Sequence, residues 1–346
     1  MRYGIWNNKG GVGKTFLSFV LATQYAKNNP TTKVIVVDMC PQANLSEILL
    51  GGNGNGAGYL KALIDARQTI GGYFNERILS PHVLTGRESQ YQLRVADINN
   101  NIPDNLWLIA GDPCLELQAQ VINQISALIL PTFAWKSVHN WLLDMILVCL
   151  ETPEGNGDQT TVFIDCNPSF SAYTEIAVIA SERLIIPCSS DGSSARAIDN
   201  IASLVYGMGS QIYSGGFAQK AESFAMPLPQ IHSVVLNRST QHNKRASKAF
   251  GAIFREIQNR VNAIKDNAPH HFVPTEKLFW EIPDNHSVAI VCSHLGMPLY
   301  AVEPRKYPVH DQTPQVNDDQ LERYKSNVMQ FLGAMQRSEQ GGNVCA

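Results

Sequence analysis

The chain has 346 residues, enough for one large α/β domain or two smaller ones with a sizeable core. Hydrophobic residues make up 44% and charged residues 16%, as in an ordinary globular protein, and a net charge of -3 excludes a global basic field, so any contact with nucleic acid needs a local patch. No apolar run approaches the roughly 18 residues of a membrane span, the N-terminus lacks the pattern of a signal peptide, and seven scattered cysteines without a CxxC pair fit a reduced, cytoplasmic interior.

The first predicted strand is YGIW (3–6), followed by the loop NNKGGVGKT and a helix over 15–29, where Leu17, Val20, Leu21 and Tyr25 recur at helical spacing and Pro30 marks the end. KVIVVDM (33–39) is a continuous β-branched run, the signature of a strand buried on both faces of a parallel sheet. Together these make one βαβ unit. GGNGNGAG (51–58) reads as a flexible loop rather than a dinucleotide fingerprint, since no strand leads into it and no clear helix N-terminus follows. The stretch 59–160 reads as mostly helical, with a strand at 106–111, a helix at 115–130, a buried helix at 138–151 and a polar turn at 151–159. Buried strands recur at 161–169, 183–190 and 231–239, with helices expected at 171–181 and 193–207 and an amphipathic helix near 318–336. The expected fold is α/β: a doubly wound, mainly parallel sheet with helical insertions, a single domain over 1–346 with a less typical helical insertion around 51–160.

NNKGGVGKTF carries the chemistry. A glycine-rich loop between a buried strand and a helix turns backbone N–H groups inward as an anion nest, and the helix N-terminus adds partial positive charge. Gly10, Gly11, Val12, Gly13, Lys14, Thr15 and Phe16 form the candidate phosphate cradle, with Lys14 the full charge and the Thr15 hydroxyl a ligand for Mg²⁺. The ordinary phosphate-loop pattern places a glycine at position 8, where Asn8 stands; Lys9 follows it, a second lysine.

KGGVGKT resembles the deviant phosphate loop (deviant Walker A) of the ParA/MinD family of ATPases, closest to its partition branch. The resemblance implies a P-loop ATPase that uses ATP/ADP and Mg²⁺ and forms a homodimer on binding ATP, with Lys9 reaching the partner's nucleotide. A lysine at the mouth of the loop is badly placed for its own γ-phosphate, which Lys14 holds, and better placed to neutralise charge on a facing subunit. Three further segments resemble family motifs in order. VVDMCPQANLSEILLGG (36–52) is similar to switch I, with Asp38 at the end of a strand beside the loop, where it can hold Mg²⁺. VFIDCNPSFS (162–171) is similar to a Walker B strand and switch II turn, with Asp165 near the metal. Asn237, in VVLNR, matches an asparagine that reads adenine, and Pro283 falls in the segment that covers the base.

Cys40 departs from the pattern: the family has there a second aspartate that positions the attacking water. A thiol does not replace a carboxylate as a water-orienting acceptor or base. Three readings stay open: slow hydrolysis in an ATP-driven clamp, another group (Asp38 itself) orienting the water, or a redox-sensitive thiol.

Among cargo surfaces, NRSTQHNKRASKAFGAIFREIQNR (237–260) holds Arg238, Lys244, Arg245 and Lys248 in a basic stripe able to grip phosphate backbone without reading sequence, which would associate the protein with the nucleoid. The same stripe also reads as a solvated helix face. The last residues form a polar tail and the helix before it carries a core-type stripe, so no membrane partner is expected. A ParB-like or other protein partner that stimulates hydrolysis is implied for the partition reading. The alternative is a nucleotide-gated clamp or regulator with weak or absent hydrolysis.

Overall fold

Val34, Ile35, Val36 and Val37 are all fully buried, because their strand lies inside a sheet covered by helices on both faces. A computed structural model describes the chain except residues 151–158, 190, 210–215, 240, 243, 244, 247, 284 and 343–346, and except the side chains of 238, 239, 241, 242, 245, 246, 248–250, 341 and 342. Its strands are β1 (Arg2–Ile5), β2 (Lys33–Met39), β3 (Gln92–Arg94), β4 (Leu106–Ile109), β5 (Thr160–Cys166), β6 (Arg183–Cys188), β7 (Gln230–Ser239), β8 (Gln241–His242), β9 (Arg245–Ala246) and β10 (Phe279–Pro283). The helices are α1 (Lys14–Asn28), α2 (Asn44–Leu49), α3 (Gly52–Asp65), α4 (Ile70–Leu79), α5 (Cys114–Ser126), α6 (Ala134–His139), α7 (Trp141–Leu150), α8 (Ala172–Ala180), α9 (Ser193–Tyr206), α10 (Phe217–Ser223), α11 (Lys248–Asn267), α12 (His286–Leu295) and α13 (Asp318–Gly342).

Eight strands form one sheet in the order β10-β7-β6-β1-β5-β2-β4-β3, every neighbouring pair parallel except β3 with β4. One face packs a core drawn from α1, α2, α12 and α13, the other a core drawn from α4 to α11, the doubly wound α/β arrangement expected. The chain crosses from β1 through α1 to β2, leaving one place that β5 fills, and then returns past β1 to β6. Ligands in such sheets bind at the carboxyl ends of the strands beside that reversal. β2, which carries Asp38, is therefore not the immediate neighbour of β1, which leads into the glycine loop. β5 intervenes and brings its own carboxylate between them.

Three expectations need correction. The glycine-rich stretch 51–58 is not a loop but the first turns of α3. A Cβ at Gly56 would lie 2.0 Å from Glu47 O and one at Gly52 would lie 2.3 Å from His294 O, so these glycines let α3 pack against α2 and α12 backbone to backbone. The helix expected over 138–151 is two helices, α6 and α7, parted at Asn140. The helix expected over 115–130 ends at Ser126. The 151–159 turn lies, but for Gln159, outside the described residues. In α13 the predicted stripe Leu321, Tyr324, Val328, Phe331, Leu332 and Met335 is buried in the core.

Candidate nucleotide site

β1 runs into Trp6 and Asn7, both fully buried. The Asn7 amide donates to Pro187 O at 2.8 Å, which fixes the root of the loop to β6, and Asn7 Oδ1 accepts from Lys9 N at 2.9 Å. The loop turns at Gly11 and Gly13, with φ of 74° and 79°, left-handed values that favour glycine. A Cβ at Gly10 or Gly11 would meet nothing within 4 Å, so glycine is not required there for packing and the loop face stays open to a ligand. Gly13 is the N-cap of α1 and provides no side-chain cap, which leaves the first N–H groups of the helix available to an anion. Lys14 Nζ turns into the loop, donating to Asn7 O at 3.1 Å and Lys9 O at 2.9 Å. Its burial lowers the ammonium pKa, with the Asp165 carboxylate opposing. Val12 is buried beneath the loop, and the Phe16 ring packs on Phe19 and Tyr324, so its side chain belongs to the core.

Asp38 and Asp165 are register partners on β2 and β5, and both are buried. Asp38 Oδ2 accepts from Ser46 N at 2.9 Å and Ser46 Oγ at 2.8 Å, and Oδ1 from Cys40 N at 3.1 Å. Asp165 Oδ1 accepts from Ser18 Oγ at 3.0 Å. Burial raises the pKa of both, and for Asp165 the Asp38 charge raises it further; hydrogen bonds from Ser46 to Asp38, and from Thr15 and Ser18 to Asp165, oppose the rise. Two buried carboxylates that destabilise each other, beside a threonine hydroxyl, form an all-oxygen set that a small divalent cation neutralises. The donor chemistry fits Mg²⁺ held by Thr15, Asp38 and Asp165.

Lys9 behaves differently from Lys14. Its Nζ turns away from the loop, donating to Ser189 Oγ at 2.7 Å and pairing with Asp191 just ahead of α9. That pairing, with the Ser193 hydroxyl second, holds the Asp191 carboxyl well below the usual range. Nothing in the sequence marked Asp191, Ser189 or Ser46; they become visible only when β6 and α2 are placed beside the loop. Asn7 had a weak signal, as the polar residue between a buried strand and the glycines.

At the far side of the loop, the Asn237 amide donates to Val12 O at 3.0 Å and Gly13 O at 3.2 Å, bracing the loop from β7. Pro283 closes β10 beside Ser239, next to a register shift at Ile282, at the same end of the sheet. Cys40 is half-buried, with Sγ 3.9 Å from Asn167 Oδ1. Burial and the Asp38 carboxylate push its thiol up to about 12, so it is neither a thiolate nucleophile nor a base near neutral pH. The site therefore gathers residues from the loop, β2 and the segment after it, β5, β7 and β10. Of the basic stripe, Lys244 and the side chains of Arg238, Arg245 and Lys248 lie outside the described residues; further along α11, Arg260 pairs with Asp199 and Glu256. Among the described residues no helix is long and apolar enough to cross a membrane.

A family model described as the CobQ/CobB/MinD/ParA nucleotide binding domain matches residues 3–289. A comparison with curated proteins gives no match. Solved structures share the fold at low identity. A substituted McdA from Cyanothece in complex with ATP is 15% identical, with TM-score 0.56 and coverage of 96% of each chain. A protein from Borrelia burgdorferi B31 described as a plasmid partition protein, bound to AMPPNP, is 16% identical, with TM-score 0.54 and coverage of 95% of this chain and 96% of that one. Cobyrinic acid a,c-diamide synthase from Mycobacterium smegmatis, with a bound ATP analog and magnesium, is 15% identical, with TM-score 0.53 and coverage of 99% and 96%.

Proposed function

The chain belongs to the CobQ/CobB/MinD/ParA nucleotide-binding family, and from that premise we propose that it is a ParA-type ATPase, one domain throughout, that binds Mg-ATP, dimerises on it, and works in the cytoplasm. The observation that carries the reading is the division of labour between the two lysines. Lys14 is buried and turned into the loop, while Lys9 turns away to the rim, where it bonds Asp191 and Ser189 rather than its own loop. In this reading Lys14, the loop N–H groups of Gly10 to Phe16 and the N-terminus of α1 bind the phosphates, and Asn237 and Pro283 border the base. Mg²⁺ held by Thr15, Asp38 and Asp165 would neutralise phosphate charge. Dimerisation adds the partner's Lys9 to the charge available in the transition state.

The basic stripe of Arg238, Lys244, Arg245 and Lys248 is the proposed non-specific DNA contact, through which the protein positions DNA or another cargo and associates with the nucleoid, with a ParB-like or other partner stimulating hydrolysis. The test is phosphate release with and without DNA. Turnover that depends on Lys14 and rises with DNA supports the reading, and wild-type protein that neither binds nor cleaves ATP ends it. One observation favours a second reading, a nucleotide-gated clamp: the neutral, half-buried Cys40 thiol stands where a carboxylate is expected. Wild-type turnover as fast as that of Cys40→Asp argues against the clamp.

A further inference from the structure

The hydrogen-bond network around Cys40 has only one consistent direction. Glu116 Oε2 lies 3.1 Å from the Tyr173 hydroxyl, and an ionised carboxylate only accepts, so Tyr173 donates to it. The Tyr173 oxygen is then the acceptor for Asn167 Nδ2, at 2.5 Å, and the second Nδ2 hydrogen bond runs to Ser169 Oγ at 2.9 Å. With the nitrogen side of the carboxamide so engaged, its oxygen must face the other way, and it does: Oδ1 accepts from the Cys40 thiol, Sγ 3.9 Å away, and keeps a second lone pair for another donor. The backbone is pinned as well, since Trp6 Nε1 donates to Asn167 O at 2.9 Å, tying the residue to the root of the phosphate loop. Cys40 itself is close enough to Asp38, Asp165 and Lys14 to feel all three charges. A fixed, uncharged acceptor is thus presented to the one position in the site where the resembled switch I pattern has a carboxylate and this chain has none.

We propose that the Asn167 carboxamide oxygen supplies the water-orienting acceptor that Cys40 lacks. The inference rests on the reading of this site as one that hydrolyses ATP. Asn167 Oδ1 accepts a hydrogen bond from the attacking water and directs the oxygen lone pair at the γ-phosphorus. The new P–O bond forms as the bond to the β,γ-bridging oxygen breaks, ADP leaves with that electron pair, and the water's proton passes to phosphate oxygen, since a neutral amide takes no proton. A loose phosphoryl-transfer transition state demands positioning more than a strong base, which is why an amide can serve. Glu116 and Tyr173 act through Asn167 as positioning residues.

The experiment measures phosphate release and the affinity for a fluorescent ATP analogue in full-length wild type, Asn167→Ala, Tyr173→Phe, Cys40→Asp and the double variant Cys40→Asp/Asn167→Ala. Asn167→Ala should lower kcat by about 10–100-fold with nucleotide affinity within about two-fold of wild type. Tyr173→Phe, which frees the amide to turn over, should lower kcat several-fold at equal affinity. Adding Cys40→Asp to Asn167→Ala should restore the rate to at least that of wild type, a rescue that a merely structural asparagine would not show. Unchanged kcat in Asn167→Ala, or failure of Cys40→Asp to rescue it while the double variant still binds nucleotide, overturns the inference and leaves the ATPase reading standing. Absence of turnover in the wild type itself overturns both.

Discussion

If Lys9 must leave Asp191 to serve a second subunit, that ion pair opposes dimerisation, and weakening it should tighten the dimer. Asp191→Asn is the appropriate change. It removes the charge facing Lys9 but keeps an oxygen for the Ser193 N–H and hydroxyl, which Asp191 Oδ1 accepts at 3.1 and 2.6 Å at the start of α9. The two side chains are 22% and 54% exposed, so solvent screens the pair and its worth is that of a surface salt bridge, about 0.2–1 kcal/mol. A dimer frees two such lysines, so about 0.4–2 kcal/mol of opposition disappears, equivalent to a dimer about 2- to 30-fold tighter. Sedimentation equilibrium with Mg²⁺ and a non-hydrolysable ATP analogue measures this directly, and the gain should shrink at high salt. A dimer of equal or weaker affinity in Asp191→Asn would show that the pair does not hold Lys9 back.

Three other outcomes are expected. Gly56→Ala should lower stability by about 2 kcal/mol or more in urea unfolding, against the gain of about 1 kcal/mol that helix propensity alone predicts, because its Cβ would sit 2.0 Å from Glu47 O; a stabilised variant would show that α3 is not packed this closely. His232 is buried between the Ser233 and Ser338 hydroxyls, and burial, with the Arg183 guanidinium, pushes its pKa down to about 3. The unfolded chain takes up that proton below about pH 6.5 and the fold does not, so stability is lost between about 6.5 and 3: from pH 7 to 5 the wild type should lose about 2 kcal/mol more than His232→Asn, and parallel profiles would refute this. Lys244→Glu with Arg245→Glu should abolish retention on non-specific DNA at low salt, read by filter binding, and unchanged retention would move the DNA contact elsewhere.

The buried strands and their order of motifs were legible because β-branched runs and a glycine loop before a helix leave local signals. KVIVVDM announces a central strand whichever residues surround it. The position of β5 between β1 and β2 was not legible, since sequence order does not reveal which place in a sheet a later strand fills. Gly52 and Gly56 misled for a related reason. Glycine signals freedom in isolation, but here it serves close approach to backbone that lies a few residues away at Glu47 and far away at His294. The nucleotide site was read from its loop and its acids. The residues that fix their directions were missed: Asn7, Ser46, Asp191, and the Asn167–Tyr173–Glu116 chain are ordinary polar side chains until the fold brings them together.

In the proposed mechanism, nucleotide in this loop brings two copies together through Lys9. Sedimentation velocity of the full chain with Mg-ATP, with Mg-ADP and with Mg-ATP on Lys9→Ala tests it most directly. The wild type should form a dimer with Mg-ATP only, and Lys9→Ala should bind ATP yet stay monomeric. A dimer that forms equally with ADP, or one that Lys9→Ala forms as well as the wild type, would contradict it.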